Sequence, residues 1–201
     1  FTKQYHNHKT TNPNLHRHMT SVITEDEKKR LAEFVGLPSL HPFQFEVPAT
    51  LKKSMDEHPN SPNTTFLIRP TGDGKSYLPL VWLANNELFS KGNVKSVVFY
   101  YCPLNRAMDG VIAKTKKIKT FRALTVANDW SKVVNALTVD VLEHNTIIFY
   151  NPTDVSTDNR LVELVQRAQL LRIRLFVHDE IALSAQWKDP SFRPLLSNMH
   201  I

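Results

Sequence analysis

The chain has 201 residues, 41% hydrophobic and 22% charged, enough for one domain plus a tail. Its single cysteine, Cys102, excludes an internal disulfide and points to a reducing compartment, and no stretch approaches the ~18 apolar residues of a membrane span. The 25 Lys and Arg against 19 Asp and Glu leave a net charge of +6, which suits a polyanion such as nucleic acid without requiring one.

Residues 1–23 carry His, Asn, Thr and Lys with few apolar positions, which predicts a polar, mobile tail. His6, His8, His16 and His18 lie there with no nearby cysteine and no helical register, so a solvated tail is expected rather than a metal site. The chain begins at Phe1 rather than Met, as a piece of a longer protein would, and shows no signal-peptide pattern, so an intracellular rather than secreted protein is expected. One domain is expected over 24–201.

Thr24-Glu25-Asp26-Glu27 reads as a capping box that opens a helix running to about Val35, where Gly36 and Pro38 stop it. Strands are expected over 64–68, 94–101, 120–126, 146–150 and 173–177. Helices are expected over 76–89, 104–116, 130–137 and 158–171. Short apolar strands alternating with helices imply a mostly parallel sheet with helices on both faces, hence an α/β domain.

The stretch "PTGDGKS", residues 70–76, stands between an expected strand and an expected helix. Gly72 and Gly74 around Asp73 let backbone amides turn toward an anion, and the helix start adds a favourable dipole. Lys75 can neutralise the β and γ oxygens of a nucleotide, while the Ser76 hydroxyl can ligate Mg²⁺. The strict eight-residue phosphate-loop pattern would place glycine where Arg69 stands. A phosphate loop needs an acidic partner at the end of a neighbouring strand, and "LFVHDE" supplies Asp179 and Glu180. Asp179 can hold Mg²⁺ through water, and Glu180 can orient or deprotonate an attacking water.

Four blocks, in order, resemble the first RecA-like lobe of a RecQ-family DNA helicase of superfamily 2: "LHPFQ" (40–44), "RPTGDGKS" (69–76), "YYCPLNRAMDGV" (100–111) and "HDEIALSAQWKDPSFRP" (178–194). The resemblance covers roughly 38–198 and implies a RecA-like P-loop fold. It also implies ATP and Mg²⁺ as ligands, with hydrolysis coupled to movement on single-stranded or forked DNA, and a nuclear site in a eukaryote. By resemblance, Gln44 reads the adenine edge, and Thr71, Gly72, Asp73, Gly74, Lys75 and Ser76 bind the nucleotide. Ser76 and Asp179 hold the metal, and Lys75 and Glu180 are catalytic. Gln186, Trp187, Phe192 and Arg193 form the DNA-sensing loop, where the two rings offer stacking faces and the guanidinium a phosphate or cation–π contact.

The sequence departs from the family at Ala182, which stands in place of histidine, at His41 in place of arginine and at Val111 in place of glutamine. One extra residue lies between Glu180 and Arg193. The chain stops at Ile201, before any second lobe, so little hydrolysis is expected from these residues alone. The competing reading is a non-hydrolysing nucleotide- or DNA-binding regulatory module. A small-molecule kinase using the same loop would leave the Gln-Trp and Phe-Arg-Pro residues without a role.

Overall fold

In the computed structural model, which describes residues 23–57, 65–70, 72–89, 95–138, 142–151 and 173–179, the first helix begins at its capping box. The Glu27 amide donates to the Thr24 hydroxyl at 3.2 Å, and the Thr24 amide donates to the Glu27 carboxylate at 2.8 Å. Each half of the box satisfies an amide that lacks an intrahelical partner. Helix α1, Glu25–Phe34, follows and ends before Gly36, whose φ of +73° suits only a residue without a side chain.

Helix α2, Pro42–Glu57, has no counterpart in the sequence-based expectation. Pro48 inside it removes one backbone donor, which argues against a helix from sequence alone. Burial outweighs that loss: Phe43, Gln44 and Phe45 are buried near its start, and α2 packs against α3, Leu78–Phe89. A 3-10 turn, Lys75–Tyr77, leads directly into α3. Pro79 to Asn85 are buried without a break, so α3 is enclosed on all sides, as its nearly continuous apolar run requires.

The strand expected over 64–68 does not form within the described residues. Residues 65–70 run without regular structure, and none of the sheet strands pairs with them. Phe66 and Ile68, from the apolar run Phe66-Leu67-Ile68, are 73% and 93% exposed. An apolar run makes a strand only where a neighbour takes the backbone groups, and Pro70 brings no amide to such a ladder.

The sheet consists of β1, Val97–Tyr101, β2, Phe121–Thr125, β3, Asn145–Tyr150, and β4, Ile173–His178. Its order is β2-β3-β1-β4 and every pairing is parallel. Helix α4, Asn105–Lys116, carries the chain from β1 to β2, and α5, Trp130–Thr138, carries it back toward β3. Right-handed crossovers in opposite directions put these two helices on opposite faces. Val98, Tyr100, Ile147 and Phe149 accordingly point into the core formed with α1, α3 and α4, while Val97, Phe99, Leu124 and Ile148 point toward α5. Both faces are therefore apolar and the inner strands β1 and β3 are buried on both, as the α/β reading expects, while Phe176 on β4 is 57% exposed.

At the amino ends of the strands, Lys95 and Glu87 form a largely buried ion pair at 2.8 Å. The Asn145 amide donates to the same carboxylate at 2.5 Å and accepts the Ser96 amide at 2.8 Å. This network ties the end of α3 to the starts of β1 and β3. Among the described residues no helix is long and apolar enough to cross a membrane. All but residue 23 of the tail expected over 1–23, and the helix expected over 158–171, lie outside the described residues.

Candidate nucleotide site

Two constraints fix the second glycine of the loop. Gly74 has φ +79°, and a Cβ there would lie 2.7 Å from Gln44 Nε2. Gln44 crowds it because its side chain braces the loop: Nε2 donates to the Gly74 carbonyl at 2.9 Å, and Oε1 accepts the His41 amide at 2.8 Å. The side chain is 2% exposed and thus has both ends of its amide satisfied by backbone. Gly72, at φ +94°, has open space around it and is constrained by its backbone alone. Asp73 sits half-buried between them.

Lys75 folds back over the loop entrance, and its ammonium donates to the carbonyls of Pro70 at 2.8 Å and Arg69 at 3.0 Å. The Arg69 guanidinium lies 4.9 Å from the centre of the Phe43 ring, which anchors the loop entrance to α2. Ser76 opens toward α4, where the Lys114 ammonium donates to its hydroxyl at 2.7 Å. Lys114 also sits 4.5 Å from the centre of the Tyr77 ring. Burial pushes the Lys114 pKa down, and the Asp179 carboxylate pulls it back up.

Asp179 follows β4 directly, at the carboxyl end of the sheet, where open parallel sheets bind their ligands. Its amide donates to the Tyr101 carbonyl at 3.0 Å and its carboxylate accepts the Tyr100 hydroxyl at 2.6 Å. The neighbouring His178 packs edge-on to Tyr101 at 4.3 Å. Burial lowers the His178 pKa, and Asp179 works against that shift.

Gly74, Lys75 and Ser76 therefore lie together, braced by Gln44 from α2, and Asp179 reaches that loop electrostatically through Lys114. Thr71, Glu180, Gln186, Trp187, Phe192 and Arg193 lie outside the described residues, as does Ala182. Sequence reasoning missed Tyr100 and Lys114. Tyr100 becomes an Asp179 partner only through the β1–β4 register, which pairs it with Val177. Lys114 lies in a lysine-rich stretch that reads as a solvated charge run. Its one signal is its position three residues after Val111, beside the buried stripe Met108, Val111 and Thr115.

The donor set fits Mg²⁺ held jointly by protein and phosphate. Among the described residues no group of three or more His, Cys, Asp or Glu could cage a metal. Mg²⁺ bound with a nucleotide needs only one or two protein oxygens besides phosphate, and Ser76 and Asp179 are of the right kind. An ammonium rests on Ser76 within electrostatic reach of Asp179, while burial works against its charge. Compared with known proteins, the chain matches no family model and no curated sequence.

Proposed function

We propose that the chain is the ATP-binding, RecA-like lobe of a divergent RecQ-like DNA helicase, acting in the nucleus if the source is a eukaryote. The observation that carries this reading is the 2.9 Å bond from Gln44 to Gly74. It joins two of the blocks named by the resemblance, 30 residues apart in sequence. The third and fourth blocks meet in the same way where Tyr100 donates to Asp179.

On this reading Lys75 exchanges two neutral carbonyl acceptors for the β and γ oxygens of ATP, a stronger charge-assisted pairing. Gln44 holds the Gly74 carbonyl and so keeps the loop in the shape that presents its amides. Ser76 and Asp179 would hold Mg²⁺, which would supply charge neutralisation at the phosphates. Tyr100 keeps the Asp179 carboxylate oriented. Glu180 would orient or deprotonate the attacking water, and Gln186, Trp187, Phe192 and Arg193 would meet single-stranded DNA. Ala182, in place of the family's histidine, favours a second reading in which nucleotide is bound but not hydrolysed.

Calorimetric titration with Mg·ATP tests the nucleotide site common to both readings. A charge-assisted contact is worth about 1.5 to 3 kcal/mol, so Lys75→Ala should weaken binding at least ~10-fold. Equal affinities for mutant and wild type would refute the assignment. Single-strand DNA stimulation of ATP turnover in a protein that includes this chain then separates the helicase from the non-hydrolysing module.

A further inference from the structure

Lys114 is the one site residue that neither the loop motif nor the strand-end acid accounts for. It projects from the third turn of α4, a helix fixed by the buried Met108, Val111 and Thr115, so its ammonium has a short reach. That ammonium donates to Ser76 Oγ at 2.7 Å, packs over Tyr77 and feels the Asp179 carboxylate. A metal bound to the same Ser76 oxygen would lie beside this ammonium, and two cations sharing one neutral hydroxyl repel each other. Next to Lys114 lies a cavity of about 230 Å³, walled by Glu33, Phe34, Tyr77, Lys117 and Ile118. It offers the side chain room to move, toward Glu33 at the end of α1.

We propose that Lys114 is a resident cation of the candidate phosphate loop, which occupies the Ser76 hydroxyl and which a divalent metal must displace toward Glu33. The inference rests on the nucleotide-binding reading and deepens it. Two consequences follow, in opposite directions. Without metal, Lys114 stays beside the loop and joins Lys75 in attracting nucleotide phosphate. With metal, Lys114 competes for Ser76 and raises the Mg²⁺ concentration needed for tight binding.

The test is a set of ATP titrations of the full chain, in EDTA and at rising Mg²⁺, for wild type, Lys114→Met, Lys114→Gln and Lys75→Ala. Lys114→Met keeps the buried stem, and Lys114→Gln keeps a hydrogen-bond donor without the charge, so the pair guards against a folding artefact. Thermal melts confirm that each variant is folded. In both Lys114 variants the Mg²⁺ midpoint should fall about tenfold while metal-free ATP affinity drops about tenfold, the scale of one charge-assisted bond. An unchanged or raised Mg²⁺ midpoint overturns the inference alone, provided wild type binds nucleotide and Lys75→Ala weakens it. Wild type that binds no ATP, with or without Mg²⁺, overturns the nucleotide reading and this inference together.

Discussion

Gly74 separates two reasons for a glycine that sequence alone cannot distinguish. Its neighbour Gly72 shares the positive φ but has open space around it, whereas a Cβ at Gly74 meets the amide of Gln44. Gly72→Ala should therefore cost about 1 to 2 kcal/mol, the left-handed backbone penalty alone. Gly74→Ala should cost about 2 to 3 kcal/mol, because it also breaks the Gln44 bond. In a Gln44→Ala background the Gly74→Ala increment should shrink to that of Gly72→Ala, measured as urea midpoints at constant slope. Additive costs would mean that Gln44 does not brace the loop. The candidate loop and Asp179 could be singled out because glycine, lysine, serine and acid occur at a spacing tied to one chemistry. Lys114 was not, because a lysine among lysines carries no mark of what it touches.

At the scale of elements, the strands at 97–101 and 145–150 were legible because both faces of an inner parallel strand are buried, and those at 121–125 and 173–178 because apolar residues still predominate around Arg122 and Arg174. Helix α2 was hidden by Pro48, and the segment at 65–70 was misread because the run Phe66-Leu67-Ile68 mimics a buried strand, though Phe66 and Ile68 are exposed. In both cases the deciding term is a tertiary neighbour: α3 is present for α2, and among the described residues no strand pairs with 65–70. The Glu87–Lys95–Asn145 network shows how elements are joined once formed. Glu87 and Lys95 are only 12% and 14% exposed in their side chains. Glu87→Ala should cost about 3 to 5 kcal/mol, since it leaves the Lys95 charge buried without its partner. Replacing the pair together, Glu87→Leu with Lys95→Met, should cost less than the single change, as read from thermal melts. A double mutant less stable than the single would contradict this account.

For the whole molecule, Tyr150 links the sheet to alkaline stability. Burial, with a smaller contribution from Tyr101, pushes its pKa up to about 12 from 10.0. The unfolded phenol ionises first, so this stabilisation is complete below pH ~10 and is lost as pH rises toward ~12. About 2 to 3 kcal/mol is at stake, from roughly 1.4 kcal/mol per pKa unit. Tyr150→Phe should remove that part of the alkaline decline in urea midpoint, and an identical decline in both proteins would assign the loss to other groups. The sheet order carries a consequence in time. β1 lies between β3 and β4, and Tyr100 meets Asp179 across 79 residues of sequence. At the ~5 to 20 residues per second of protein synthesis, β1 waits about 4 to 16 s on the ribosome for that partner. During that interval one edge of β1, with its Val-Val-Phe-Tyr-Tyr side chains, is open to any other unpaired strand. A nascent chain stalled before β4 emerges is therefore a species for chaperones to shield, and its hazard is self-association.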